Sequence, residues 1–138
     1  MAMVIDASVA GAWVMPDERS TVATEIGRRV LKDGAYVPDL FAHEIRNLLV
    51  MGVQRQRIPM DLFWEQLARI EQMPIRVVAP GPSKRLAALA FKHSLTAYDA
   101  AYLDLALDQA LPLASLDKAL RRAALAEGVI VLRAELST

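Results

Sequence analysis

Short apolar runs alternate along the chain with segments whose apolar residues recur every three or four positions. Runs bounded by turn residues are typical of buried strands, and the longer spacing is typical of amphipathic helices. Strands are predicted at residues 4–5, 35–37, 75–78, 113–114 and 129–132. Helices are predicted at residues 9–15, 20–32, from 38 onward, from 59 to before 74, 82–93, 96–110 and 117–126. This alternation predicts an α/β fold with a mainly parallel sheet.

The 138 residues are enough for one domain with a substantial core, so we expect a single domain over 1–138. Just over half of the residues are apolar, and none is cysteine, which excludes disulfides and thiolate metal sites. No apolar run approaches the length of a membrane span, and the first residues resemble a strand rather than a signal peptide. These features favour a cytoplasmic protein with no membrane association.

The formal net charge is zero, so the chain lacks the basic surplus of a protein that coats a nucleic-acid duplex. Most of the basic residues are nevertheless arginine, which suits phosphate recognition better than lysine does. The charge therefore still allows an enzyme that handles a short stretch of RNA at a metal site.

Two acidic residues, Asp6 and Asp117, each follow a short apolar run and precede a predicted helix. A carboxylate in this position commonly caps the helix by accepting a backbone N–H. The carboxyl ends of strands in open α/β sheets are also where ligands bind. Ser8 and Ser115 stand two residues away from these acids, so their hydroxyls either serve the same site or cap a turn.

Two further acids, Glu44 and Asp99, lie near the starts of predicted helices. Glu44 is beside the apolar face of its helix, and Asn47 is its neighbour one turn later. Asp99 stands three residues after Thr96, which is the spacing of a capping box. Favourable charge at a helix start explains either acid taken singly. Asp104 does not share the helical face of Asp99 and is expected to be solvent-facing or peripheral.

If the four acids meet at one edge of the sheet, they indicate a cation site rather than four separate helix caps. Carboxylates at close range raise one another's pKa values, and a hard divalent cation is the natural compensation. Mg²⁺ prefers oxygen ligands and keeps several of its waters. His43 and His93 lack ligand spacing, so a zinc site is not expected. The acids therefore predict a site for Mg²⁺ or Mn²⁺.

Four segments, taken in order, resemble a known family. They are Val-Ile-Asp-Ala-Ser near the start, Pro-Asp-Leu-Phe-Ala-His-Glu-Ile-Arg-Asn, Thr-Ala-Tyr-Asp-Ala-Ala-Tyr-Leu, and Leu-Ala-Ser-Leu-Asp-Lys-Ala-Leu. Their order and intervals resemble the PIN-domain family and, more narrowly, the VapC toxins of toxin–antitoxin pairs. The resemblance covers nearly the whole chain.

The resemblance implies a three-layer α/β/α sandwich and Mg²⁺- or Mn²⁺-dependent endoribonuclease activity that leaves a 5′-phosphate and a 3′-hydroxyl. The family's four acids correspond to Asp6, Glu44, Asp99 and Asp117, which are the implied metal ligands. Its polar helper, usually threonine, corresponds to Ser115. The Asn that follows the second acid corresponds to Asn47, which completes the implied catalytic set. Asp104 stands where the family often has a small or apolar residue.

The resemblance also implies an RNA substrate, a homodimer and a small VapB-like antitoxin that wraps the toxin with an amphipathic segment. Candidate groove residues, for which core packing is the alternative, are Trp13, Met15, Met51, Phe63 and Trp64. Two other functions stay open: an RNA-processing nuclease of this fold outside a toxin–antitoxin pair, and a non-catalytic binding module. A phosphotransfer receiver is disfavoured because no Lys stands at a late strand end.

Overall fold

The computed structural model describes residues 1–132, which form one parallel sheet with helices packed around it. The strands are β1 Met3–Ile5, β2 Ala35–Pro38, β3 Ile75–Val78 and β4 Leu113–Ala114, in the spatial order β3–β2–β1–β4. The helices are α1 Ala7–Val14, α2 Thr21–Asp33, α3 Leu40–Gln54, α4 Met60–Glu71, α5 Ser83–His93, α6 Ala97–Gln109 and α7 Lys118–Ala126. The predicted class, an α/β sandwich around a parallel sheet, is confirmed.

The two central strands are buried because helices cover the sheet, as parallel sheets require. All of β1 is fully buried, and it pairs with β2 on one side and β4 on the other. β3 lies at the edge, where Val77 is 56% exposed. Because the strands are parallel, their carboxyl ends share one edge, and β1 and β4 both run directly into the turns that carry acidic residues.

Most helix ends lie within one or two residues of their predicted positions. Pro16 ends α1 as predicted and opens a short 3-10 turn, Pro16–Glu18, which the sequence pattern did not predict. Gly34 ends α2 with a φ of 85°, a conformation that strongly favours glycine. Proline and glycine positions in the sequence therefore predict where these helices end.

The predicted strand at 129–132 is wrong as a full strand. Only Val131 joins the sheet, through an isolated parallel bridge to Leu113. The physical reason is the shortness of β4, which offers a two-residue partner and no more. Val129, Val131 and Leu132 are nevertheless buried, so the segment closes the core by side-chain packing.

Two proposed groove residues belong to the packed interior instead. Met15 is fully buried in the core. Trp13 is half-buried, and its indole N–H donates to the Ala23 carbonyl at 2.6 Å. Of the five candidates, Trp64 alone is largely exposed, at 61%. No helix within residues 1–132 is both long and apolar enough to cross a membrane.

Candidate active site

Asp6 is the most deeply placed acid of the predicted site. It follows β1, caps α1 by accepting the Val9 backbone N–H at 3.3 Å, and is only 4% exposed. Its two carboxylate oxygens also accept hydrogen bonds from Ser8 and Ser115, each at 2.6 Å. The cap and a site role therefore coexist at Asp6, since the cap and the two hydroxyls fix its orientation.

The two serines join the turns that follow β1 and β4. The Ser8 hydroxyl accepts the backbone N–H of Leu116 at 2.9 Å, and the Ser115 hydroxyl accepts that of Asp117 at 3.0 Å. Each hydroxyl has one proton, and each donates it to Asp6. Neutral donors therefore orient the Asp6 carboxylate without cancelling its charge.

Glu44 lies on α3 and is half-buried. Its Oε1 accepts a hydrogen bond from the Tyr102 hydroxyl on α6 at 2.5 Å. The Tyr102 side chain is 1% exposed, so the bond joins two helices inside the molecule. The sequence pattern indicated only that Tyr102 belongs to a buried helix, and nothing in it pointed to a partner 58 residues away.

Asp99 and Asp117 stand at the starts of α6 and α7. Asp117 is exposed and caps α7 by accepting the Leu120 backbone N–H at 2.8 Å. Thr96 caps α6 by accepting the Asp99 backbone N–H at 3.1 Å. Within residues 1–132 the reciprocal bond of a capping box, in which the Thr96 N–H donates to the Asp99 carboxylate, is not formed. The Asp99 carboxylate therefore does not serve as a cap of α6.

The pKa values show that the acids act on one another. Burial raises the pKa of Asp6 against the bonds from Ser115, Ser8 and Val9, and the charge of Asp99 raises it further. Burial also raises the pKa of Glu44, which the Tyr102 bond opposes and the charges of Asp6 and Asp99 reinforce.

The pKa of Asp99 is likewise raised, by burial and then by the charge of Asp117, while the Thr96 hydroxyl opposes the rise. Burial raises the pKa of Tyr102, and its bond to Glu44 and the charges of Glu44, Asp6 and Asp99 add to the effect. The structure thus brings the four predicted acids into one negatively charged region.

No Lys, Arg or His within residues 1–132 forms an ion pair with any of these four acids. The same part of the chain contains no three Asp, Glu, His or Cys side chains close enough to hold one metal ion together. Mg²⁺ commonly binds one or two carboxylates directly and keeps its other ligands as water. The spacing of the acids within residues 1–132 therefore excludes an enclosed cage of three side chains and leaves room for a cation that one or two carboxylates bind and water hydrates.

Asn47 takes no part in the hydrogen bonds that orient these acids within residues 1–132. It is exposed on α3, and its side chain makes no hydrogen bond within residues 1–132. The structure therefore does not pair it with Glu44, although the two lie one turn apart.

Asp104 does not face solvent, so of the two expected positions, solvent-facing or peripheral to the site, the first is wrong and the second agrees with the structure. It is 4% exposed, and Arg85 of α5 donates to its two oxygens at 2.5 and 3.0 Å. Gly81 lies so close that a Cβ there would be 2.6 Å from Asp104 Oδ2. The charge of Asp104 does not contribute to the raised pKa values of Asp6, Glu44 and Asp99. Asp104 therefore belongs to an ion pair with Arg85 and not to the candidate site.

A family model and two solved structures are similar to this chain. The family model described as PIN domain matches residues 3–125. The crystal structure of PAE2754 from Pyrobaculum aerophilum is similar in fold, with a TM-score of 0.73 and 20% identity, over 95% of this chain and 83% of that chain. A PilT N-terminus domain protein, SSO1118 from Sulfolobus solfataricus P2, aligns over 99% of this chain and 90% of that chain, with 15% identity and a TM-score of 0.48. No curated protein matches the chain.

PIN domains are in general nucleases that act on RNA and use divalent metal ions. The match spans nearly all of the described residues, and it includes the strands and helix starts that carry the four acids. The chain belongs to the PIN domain family.

Proposed function

We propose that the protein is a Mg²⁺- or Mn²⁺-dependent endoribonuclease and the toxin of a VapBC-like toxin–antitoxin pair, formed by a single nuclease domain over 1–138. The observation that carries the nuclease function is the group of acids without a cationic partner at the carboxyl edge of the sheet. Burial is the largest cause of the raised pKa values of Asp6, Glu44 and Asp99, and the charge of at least one neighbouring acid raises each of them further. A positive ligand would relieve that repulsion.

The residues have distinct roles in this proposal. Asp6, Glu44 and Asp99 hold the metal directly or through water, and Asp117 at the exposed end orients a second metal or the attacking water. When bound, the metal activates water and stabilises negative charge on the phosphodiester. Ser115 orients Asp6 through its hydroxyl, and Asn47 is exposed where it can meet RNA.

The chemistry of the substrate also fits the site. The acids lie at a partly open edge, because Asp117 is exposed while Asp6 is buried. An RNA phosphate can approach such an edge only if a cation shields it from the carboxylates. The proposed activity therefore depends on the metal both for binding the phosphate and for hydrolysing the phosphodiester.

The toxin role rests on the resemblance and on one surface feature. Met60 and Trp64 of α4 are 54% and 61% exposed, so this helix offers apolar side chains to an amphipathic partner segment. We therefore place the proposed antitoxin on this surface, and the proposed homodimer rests on the family resemblance alone. Growth arrest on expression, relieved by a small co-purifying partner, supports the toxin role; nuclease activity without arrest or partner supports an RNA-processing enzyme instead.

The nuclease proposal is tested with Asp6→Asn. Asn is also a good helix N-cap, so the substitution removes the charge with little effect on α1. We expect RNA cleavage in Mg²⁺ to fall by about 100-fold or more, because a metal ligand is lost. Undiminished cleavage by a folded variant contradicts the assignment, and wild-type protein that cleaves no RNA in Mg²⁺ or Mn²⁺ favours a non-catalytic binding module.

A further inference from the structure

The hydroxyl of Tyr102 is buried beside the proposed metal site and is directed at one acid. It donates to Glu44 Oε1 at 2.5 Å, and the ring is 1% exposed. The bond links α6, which carries Asp99, to α3, which carries Glu44. It is the one side-chain hydrogen bond that Glu44 makes within residues 1–132.

We propose that Tyr102 is a positioning residue, whose hydroxyl holds the Glu44 carboxylate toward the other acids so that Glu44 can take part in binding a divalent cation. This inference rests on the proposed metal-dependent function and assigns Tyr102 a role in it. Tyr102 acts through Glu44 and does not itself bind the metal.

The charges around Glu44 explain why such a residue is needed. The negative charges of Asp6 and Asp99 act on Glu44 and favour rotamers that move its carboxylate away from them. Glutamate has several rotatable bonds, so orienting it costs conformational entropy. A buried donor that holds Oε1 keeps the side chain in place before any cation arrives, and Oε2 remains for a ligand or a metal-bound water.

Tyrosine suits this position better than a cationic residue does. A Lys or Arg would hold Glu44 equally well, but it would cancel the negative charge that attracts a cation. A phenol orients the carboxylate and leaves its charge intact. Ser8 and Ser115 orient Asp6 in the same manner, so hydroxyl groups are the donors to both Asp6 and Glu44.

A structural role alone is the competing explanation, because a buried hydroxyl needs a hydrogen-bond partner wherever it lies. The two explanations differ in their effect on metal affinity. If the bond only satisfies Tyr102, its removal changes stability and leaves metal binding unaltered. If it positions Glu44, its removal weakens metal binding in a variant that is still folded.

The test is Mn²⁺ binding by the metal-free protein, followed by the electron paramagnetic resonance signal of free Mn²⁺. Tyr102→Phe removes one oxygen and keeps the ring in the core. Tyr36→Phe on β2 is the matched control, because its hydroxyl makes no hydrogen bond within residues 1–132. Circular dichroism verifies that both variants are folded.

We expect Tyr102→Phe to raise the dissociation constant for Mn²⁺ by about 10-fold, within the range seen for residues that orient metal ligands. Tyr36→Phe should bind as the wild type does. Glu44→Gln should also weaken binding, and adding Tyr102→Phe to it should weaken binding little further, because the two side chains act together. Excess Mn²⁺ should restore RNA cleavage by Tyr102→Phe.

Wild-type affinity in folded Tyr102→Phe, or full additivity with Glu44→Gln, overturns the positioning role and leaves the proposed function standing. A wild-type protein that binds no Mn²⁺ overturns the proposed function, and the positioning role with it.

Discussion

Asp99 and Asp104 lie five residues apart on α6, yet their surroundings are opposite in charge. Asp104 is almost fully buried, and the Arg85 guanidinium binds both of its oxygens. Asp99 has no ion pair within residues 1–132, and burial and the charge of Asp117 raise its pKa. The fold neutralises the acid that it uses for packing and leaves the other without compensation.

The same contrast holds across the described part of the chain. Arg57 binds Asp17 and lowers the pKa of that carboxyl, and Lys92 and His93 do the same for Glu127. These pairs tie distant segments together. The proposed site instead orients its acids with hydroxyl groups, which is the arrangement expected where the positive charge comes from a ligand.

The largest expected difference lies in activity. Asp99→Asn should reduce Mg²⁺-dependent RNA cleavage by about 100-fold or more, because it removes a proposed metal ligand. Arg85→Met is the matched variant of the compensated pair: it should keep most of the activity and lower the thermal midpoint. Initial rates and melting curves on both proteins measure this, and equal loss of activity in both would erase the distinction between the two acids.

The next effect concerns how Asp6 is oriented. Ser115→Ala removes a donor to Asp6 that is 1% exposed, and it leaves the Asp117 N–H without that acceptor. We expect cleavage to fall by about 10-fold, as for other partners of metal ligands. Ser115→Thr keeps the hydroxyl and should retain more activity than Ser115→Ala. Equal rates for the two variants would contradict a role for the hydroxyl.

A stability effect is expected at Gly81. A Cβ there would press on the Arg85–Asp104 pair, but flexible side-chain ends can move, so Gly81→Ala should cost only about 1 kcal/mol. Urea unfolding measures it. An unchanged midpoint would show that the pair adjusts without loss.

The metal-free protein should become less stable as pH rises above the ordinary pKa values of its site acids, which are 3.8 for Asp6 and Asp99 and 4.5 for Glu44. Asp6, Glu44 and Asp99 have raised pKa values when folded, so above their unfolded pKa values the folded state holds more protons. The pKa values of Asp17 and Glu127 are lowered in the folded state, so these two groups make the protein more stable as pH rises. Their effect is confined to pH below their ordinary pKa values of 3.8 and 4.5.

Comparison of the wild type with Asp99→Asn isolates this effect, because the other titrating groups are shared. The variant should have the flatter pH profile and the higher thermal midpoint at neutral pH without metal. A steeper profile in the variant would contradict the direction of these shifts.

The smallest effect is expected at Asn47, which is exposed and makes no hydrogen bond within residues 1–132. Asn47→Ala should change the metal affinity by less than about twofold, because a side chain that holds no ligand has little to lose. A tenfold loss would place Asn47 beside Glu44 in the metal site.

The sequence predicted the features that depend on local chemistry. Hydrophobic spacing located the four strands and the helices, and the strand ends followed by Asp6 and Ser115 predicted which edge of the sheet carries the candidate site. Pairings across the fold were not predictable in this way. In the sequence, Tyr102 is one more residue of a buried helix, and nothing there indicates its hydrogen bond to Glu44. The partner of Asp104 is likewise 19 residues away on another helix.

The hydrophobic pattern also could not predict the lengths of the short strands. Residues 129–132 have the composition of a strand, but pairing requires a neighbour of matching length, and β4 has only two residues. The segment makes two backbone hydrogen bonds with Leu113, and the burial of Val129, Val131 and Leu132 explains its apolar character.

The effect of Mg²⁺ on thermal stability tests most directly whether the uncompensated acids exist to hold a cation. Wild type and Asp99→Asn are melted at neutral pH, each with a chelator and with excess Mg²⁺. We expect the wild type to be the less stable protein in chelator and to gain clearly in Mg²⁺, since a ligand that binds only the folded state stabilises it. Asp99→Asn should gain much less. Equal gains in the two proteins, or none in the wild type, would contradict a cation site built on these acids.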